Sequence, residues 1–339
     1  MSLGSLSRAA VGVAMHWSGV GRAFEMAARP AGAIILMYHS VAPDAAAPYI
    51  EPVNRMHPRL FERQMAFLAA ERHVLPLSEL VAKIAAGRSP PAGTVCITLD
   101  DGYLDNLTTA APVLERYRLP ATLFIATGLV ERAETQWSDT LHWLFGCATR
   151  HTLSLRVLGS RQMNLAARSE KARAYRLLHE HLLEAEHEER VELLADIRCQ
   201  LAPAGKPPRV SLDWDEVHQL RRRYPFLDIG GHTRDHIDLR KHRGEAARLQ
   251  IAGCAADLRR ELGGARHFSY PYERWCDESR QAVVDGGWAS AVGVGAPLRV
   301  GAHSDRYAMP RVHAPHAMTQ LAFYTSGAYP GALALLGFA

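Results

Sequence analysis

The feature that most limits what this chain can fold into is a rhythm of short, wholly apolar runs separated by stretches with helical spacing. Ala33-Ile34-Ile35-Leu36-Met37-Tyr38, Thr94–Leu99 and Ala121-Thr122-Leu123-Phe124-Ile125-Ala126 do not alternate, so each reads as a strand buried on both faces. Between them lie helical patterns. One carries Phe61, Met65 and Leu68 after a Pro-rich loop (Pro43 to Pro58), one opens near Leu77 with Ser78 as N-cap, and one runs over Asn106–Tyr117. Buried strands alternating with helices imply βαβ units, hence a parallel sheet or barrel. The rhythm resumes downstream. The spacing predicts helices over Trp214–Arg223, Glu245–Leu262 and Asp277–Asp285, with strands near Leu227-Asp228-Ile229, Arg266–Tyr270, Ala289–Val294 and Pro310-Arg311-Val312.

Between about residues 131 and 210 the pattern changes. Aromatics near Trp137 and Trp143 lead into a charged helical stretch, Ser169–Gln200, with leucines at 177, 178, 182 and 183. This reads as a helical insertion covering one side of a single domain over residues 31–330, and His179, His181 and His187 in it read as solvated helix-face residues. A chain of 339 residues, 48% of them hydrophobic, has ample apolar surface for one large α/β core. The net charge of +4 is mild, and Arg221-Arg222-Arg223 and Arg240-Lys241-His242-Arg243 read as solvated edges, so no nucleic-acid partner is expected. Five widely spaced cysteines without a Cys-x-x-Cys pair argue against a disulfide framework or a cysteine–zinc site, and for a reducing compartment. Cys96, inside an apolar run, reads as a small buried hydrophobe. Residues 1–30 are small, apolar and sparsely basic, and read as an amphipathic helix that packs on the domain or lies at a membrane surface. A cytoplasmic, membrane-peripheral location is therefore expected ahead of secretion.

Two strings carry the chemistry. Thr98-Leu99-Asp100-Asp101-Gly102 places adjacent carboxylates at a strand end, where Gly102 gives the turn the freedom to bring both into one cavity. Alone it reads as a capped Asp-Gly turn. His232-Thr233-Arg234-Asp235-His236 holds two imidazoles at i and i+4, about 6 Å apart if the turn is helical. Zinc–nitrogen bonds of about 2 Å can close such a pair on one ion. Thr233 and Asp235 could cap that turn, and Asp238 or a backbone carbonyl could orient an imidazole. Together the strings offer three ligands and a spare carboxylate, which a metal hydrolase needs.

Order and context sharpen this reading. From about Ile34 to Val312, the insertion apart, the chain resembles the polysaccharide deacetylases, the NodB-homology family (carbohydrate esterase family 4). The resemblance rests on Leu36-Met37-Tyr38-His39-Ser40-Val41, Ile97-Thr98-Leu99-Asp100-Asp101-Gly102-Tyr103 and Leu119-Pro120-Ala121-Thr122-Leu123-Phe124, followed by Gly231–His236 and Phe268-Ser269-Tyr270-Pro271-Tyr272. It implies a distorted (β/α) barrel with its site at the carboxyl ends of the strands. It further implies that Asp101, His232 and His236 bind Zn2+ or another divalent transition metal (cobalt, nickel or iron(II)), and that Asp100 is the general base. The backbone N–H of Tyr272 would hold the oxyanion, a donor typically worth about 3 kcal/mol. The expected substrate is an N-acetylated glycan or glycolipid, which loses acetate.

Departures from the family pattern set further expectations. Leu99 stands where Phe is common, an apolar exchange. Ser269 stands where the family places an arginine that orients the base, and Glu273 where it places glycine. Arg311, at the end of a late strand, is the expected replacement on Asp100. The usual Leu-x-His string is missing, so His313 is the first candidate for the general acid, with His303, His316 and His39 as rivals. A catalytically degenerate carbohydrate-binding module and an amidohydrolase acting on a non-glycan amide are the alternative functions.

Overall fold

In a computed structural model, residues 32–326 are described, apart from 160–161, 294 and 296–297. The helix expected over residues 1–30 lies outside the described residues. Nine strands form one sheet whose ladders are all parallel: β1 (Ala33–Tyr38), β2 (His73–Val74), β3 (Thr94–Leu99), β4 (Ala121–Ile125), β5 (Leu227–Gly231), β6 (His267–Ser269), β7 (Ser290–Gly293), β8 (Met309–Pro310) and β9 (Val312–His313). Their order is β8-β7-β6-β5-β4-β3-β1-β9, with β2 beside the start of β3, where β4 does not reach. Every residue of β1, β3 and β4 is buried, as continuous apolar runs require of strands covered on both faces.

The sheet curls into a nearly closed barrel, and a single segment makes the closure. Met309–Pro310 pairs with β7, Val312–His313 pairs with β1, and Arg311 sits between the two half-ladders. Its N–H donates to the Gly293 carbonyl at 3.2 Å, and Ala314 N–H donates to the Met37 carbonyl at 2.9 Å. The strand expected around Arg311 is thus split at Arg311 itself, because the chain leaves one edge of the sheet there and joins the other.

Helices pack outside this barrel: α1 (Pro58–Glu71), α2 (Leu77–Ala85), α3 (Ala111–Tyr117), α4 (Thr127–Arg132), α5 (Trp137–Gly146), α6 (Arg168–Glu184), α7 (His187–Leu201), α8 (Trp214–Arg223), α9 (Gly244–Leu262), α10 (Asp277–Asp285) and α11 (Met318–Thr325). Helix α1 starts at Pro58, whose missing N–H is no loss in a first turn, and buries Phe61, Met65 and Leu68. Each such side chain, fully buried, contributes roughly 1.5–3 kcal/mol of apolar transfer. Helix α8 opens with a reciprocal Asp213–Glu216 capping box. Ser78 does not cap α2: the helix already includes Leu77, with Pro76 at the cap position and no side-chain cap bond. The helix expected over Asn106–Tyr117 has a π-helical turn, Asn106–Ala110, three residues beyond the Asp-Asp-Gly turn.

Between β4 and β5 the chain builds a second apolar core. Trp143, Leu144, Leu178, Leu182, Ile197 and Leu201 of α5, α6 and α7 meet there, with an antiparallel pair, Thr152–Leu153 and Met163–Asn164, against them. The charged stretch comprises two helices, α6 and α7. The backbone turns extended at Ala185 and Glu186, and Arg190 Nε and Nη2 donate to the Leu182 and Ala185 carbonyls at 3.0 and 3.1 Å, satisfying the end of α6. No helix among the described residues is long and apolar enough to cross a membrane.

Candidate active site

The carboxyl ends of the strands converge on one cleft of about 240 Å³, lined by His39, Asp100, Asp101, His232, His236 and Tyr272 among others. Asp100 and Asp101 follow β3. Asp101 (φ 75) and Gly102 (φ 72) are both left-handed, which turns two successive carboxylates into the same cavity. A non-glycine residue in that region is strained, and such strain collects at functional sites. His232 follows β5, whose last two residues are glycines with no room for a side chain. A Cβ on Gly230 would lie 2.5 Å from the Phe124 ring, and one on Gly231 would lie 2.4 Å from the Trp288 ring.

The His232–His236 segment is an irregular loop, not the helical turn that i, i+4 spacing suggested. Thr233 (φ 60) and His236 (φ 50) are left-handed, and this bend brings the two imidazoles together edge to face, with centroids 4.8 Å apart. Asp235 does not cap the turn but accepts from Gln250 Nε2 and Arg132 Nη2. Asp238 holds Arg240 N–H and Arg274 Nη1, and the orienting carbonyl belongs to Ser269, 2.7 Å from His232 Nδ1. A proton on Nδ1 leaves the lone pair of Nε2 facing the carboxylates.

Asp101 Oδ1 is 3.2 Å from His236 Nε2 and 3.4 Å from His232 Nε2, yet it is buried without a hydrogen-bond partner. Burial alone would raise its carboxyl, but His236 and His232 hold it well below the usual range. Three donor atoms that converge without hydrogen-bonding one another fit a cation between them. Among the described residues, Asp101, His232 and His236 are the single His/Cys/Asp/Glu group that could hold a metal ion. A carboxylate oxygen and two imidazole nitrogens suit zinc and its neighbours.

Asp100 is buried beside this set, with Oδ2 3.8 Å from His232 Nε2. Arg311 grips it as a fork: Nη1 donates to Oδ1 at 2.7 Å and Nη2 to Oδ2 at 2.6 Å. Nη2 also donates to Ser269 Oγ at 2.9 Å, and Ser269 Oγ donates to Asp100 Oδ2 at 3.2 Å. Burial alone would raise the Asp100 carboxyl, but the Arg311 guanidinium holds it below the usual carboxylate range. The arginine fork is thus present, delivered by the segment that closes the barrel.

Of the four candidate acids, His313 and His39 line the cleft, their rings stacked 6.4 Å apart at 18°. His316 lines only the adjoining hollow, and His303 lies in the loop after Val300, which bridges Ala33 at the opposite end of the barrel. Burial lowers the His39 imidazole, opposed by Asp101 and Asp100. The Tyr272 ring packs 4.5 Å from His236, and its hydroxyl accepts from Trp137 Nε1 at 2.7 Å. Sequence reasoning gave no role in the cleft to Trp137 and His179 from the helical region, or to Glu273, all of which line it. His179 is not simply solvated, since its ring packs 5.0 Å from Trp137 at the cleft wall. Strand periodicity carries no signal for such contacts; only the Glu273 departure from the family glycine stood out.

Fold and site together define a class: a nearly closed parallel α/β barrel with a buried Asp–His–His set and a guanidinium-held carboxylate at its strand ends. Residues 87–290, more than half of the chain, match the family model for polysaccharide deacetylase, and the chain belongs to that family. Over 98 residues it is 34% identical to YxkH of Bacillus subtilis (strain 168), a candidate polysaccharide deacetylase, covering 29% of this chain and 33% of that one. The chain therefore matches about a third of that relative's length. Solved structures share the fold. The Streptococcus pyogenes deacetylase PplD superposes with a TM-score of 0.56 at 16% identity, over 88% of this chain and 99% of that one. IcaB from Ammonifex degensii gives a TM-score of 0.54 at 16% identity, over 89% and 97%.

Proposed function

We propose that this chain is a metal-dependent deacetylase that hydrolyses the N-acetyl amide of an N-acetylated sugar in a polysaccharide, oligosaccharide or glycolipid. The observation that carries the reading is the Asp101–His232–His236 set lying beside an Asp100 held ionised by Arg311, all within one cleft. A divalent ion held by those three side chains supplies water activation and polarisation of the amide carbonyl.

The remaining work falls to the chain's own residues. Asp100 accepts the proton of the attacking water, and Arg311 fixes the plane of its carboxylate and keeps it ionised at neutral pH. Tyr272 lies in the first turn of a short 3-10 segment, Pro271–Glu273, where an amide N–H has no intrahelical acceptor; it donates to the developing oxyanion. His313 gives its proton to the departing nitrogen as the C–N bond breaks, releasing acetate and a free amino sugar. The stretch around Trp137 and His179 forms the wall against which the sugar lies, so the helical region acts as an insertion that shapes the cleft.

The test is acetate release from N-acetylglucosamine oligomers and related glycans by protein loaded with zinc, cobalt or nickel. Acetate should appear in step with new primary amine. Silence across the panel with metal bound would refute the reading. Release from a non-glycan acetamide alone would replace the substrate class.

A further inference from the structure

Glu273 occupies a place that a bystander would not. It follows Tyr272 in the same 3-10 segment, and both residues are left-handed, at φ 57 and φ 55. A glutamate in that conformation is strained where glycine would not be. Its side chain is only 15% exposed. Oε2 is 3.1 Å from His313 Nε2, and Oε1 is 3.7 Å from Arg311 Nε. Both Oε1 and Arg311 Nε are buried without a hydrogen-bond partner, so their contact is an ion pair and not a hydrogen bond. We propose that Glu273 is a positioning residue that joins the two halves of the reaction centre, orienting His313 with one oxygen and backing Arg311 with the other. The inference rests on the deacetylase reading above, with His313 as proton donor.

The charge balance of the row supports it. Asp100, Arg311, Glu273 and protonated His313 alternate in sign, so the row as a whole is neutral. During turnover Asp100 gains a proton from water, and His313 loses one to the nitrogen. The total is unchanged, although a proton has entered at one end and left at the other. Without Glu273, the protonated His313 would face the Arg311 guanidinium with no anion between them. The groups that face Glu273 are His313 and Arg311, with Asp100 beyond the guanidinium; those that face His313 are Glu273 and the stacked His39. Burial alone would raise the Glu273 carboxyl, but the His313 and Arg311 contacts hold it below its usual range.

The experiment compares wild type with Glu273→Gln and Glu273→Gly, reading kcat and KM for acetate release alongside thermal stability. Glu273→Gln should fold normally and lose roughly 10- to 100-fold in kcat with little change in KM, below the full contribution of general acid–base help. Glu273→Gly should be at least as stable as wild type, through relief of the left-handed strain, yet equally impaired. A purely structural role would not separate stability from activity in that way. An unchanged kcat in Glu273→Gln, alongside an active wild type, would overturn the inference. An inactive wild type with metal bound would strike the deacetylase reading instead.

Discussion

Replacing Arg311 with methionine keeps the aliphatic stem and removes the fork. In the native protein the Arg311 side chain has no solvent exposure and Asp100 only 2%, and two charge-assisted bonds of 2.7 and 2.6 Å join them. Removing one partner of a buried ion pair typically costs about 3–5 kcal/mol, because the other charge is left uncompensated. The Asp100 carboxylate can escape that cost by taking up a proton, since burial then raises it against only His232 and His39. A protonated Asp100 is no base. If most of that energy is lost from the transition state, kcat/KM falls roughly 10²- to 10³-fold at neutral pH. The sign in pH is fixed: Arg311 lowers Asp100, so its loss moves the acid limb of kcat/KM to higher pH, and activity partly recovers in alkaline buffer.

The assay is acetate release between pH 5 and 9, paired with thermal unfolding and one double variant. Asp100→Asn in the Arg311→Met background removes the stranded charge, so the double variant should be more stable than Arg311→Met alone. Arg311→Lys should recover charge but not the two-pronged geometry, and fall between the extremes. A kcat/KM within threefold of wild type with an unmoved acid limb would refute the reasoning, as would a double variant less stable than Arg311→Met.

Metal removal should lower the unfolding temperature, because an ion held by Asp101, His232 and His236 binds only the folded chain; at a hundredfold excess over Kd this amounts to about 2.7 kcal/mol. Elemental analysis and melting with and without chelator check it, and Asp101→Asn should blunt the response. Asp139 is buried, accepts from Glu51 N–H and Tyr103 Oη at 2.7 Å each, and burial pushes it from 3.8 up to about 7. A folded value above the unfolded one gives stability that is full below about pH 4 and lost as pH rises toward 7, so Asp139→Asn should flatten melting temperature against pH across that window. Trp137→Phe removes the indole N–H that holds the Tyr272 hydroxyl at 2.7 Å; at about 1 kcal/mol for one hydrogen bond, kcat/KM should fall roughly fivefold with the fold intact. Steady-state kinetics and melting read both.

What was legible in the sequence was local or carried by family order. The apolar runs of β1, β3 and β4 read as buried strands from their lack of alternation, whereas the Asp-Asp-Gly turn, a capped turn when taken alone, gained its meaning from the His string downstream. Arg311 could be singled out because a buried base demands a cation and the usual one is missing. The loop at His232–His236 was misjudged because i, i+4 spacing also fits an irregular bend; the left-handed φ of Thr233 and His236 leaves no trace in the spacing. The split at Arg311 was hidden because it depends on where the two sheet edges end up. His179 and Trp137, 42 positions apart, meet only because α5 and α6 share an apolar core, which no local pattern records.

The barrel explains how Arg311 can grip Asp100 from a different strand than the one that carries Ser269. Ser269 ends β6 and Arg311 lies between β8 and β9, yet Ser269 Oγ and Arg311 Nη2 are 2.9 Å apart and both touch Asp100 Oδ2. In a barrel of this kind, side chains from alternate strands point inward and meet in a common layer, so positions far apart in sequence address one point near the axis. An arginine at 269 would have to enter the space that the Arg311 guanidinium fills, and two such forks would add like charge and excess volume to a fully buried layer. Serine at 269 and arginine at 311 are therefore complementary: the small residue makes room, and its hydroxyl both accepts from the incoming fork and donates to the base. What the chemistry fixes is a planar cation on Asp100, and the fold leaves more than one strand able to deliver it.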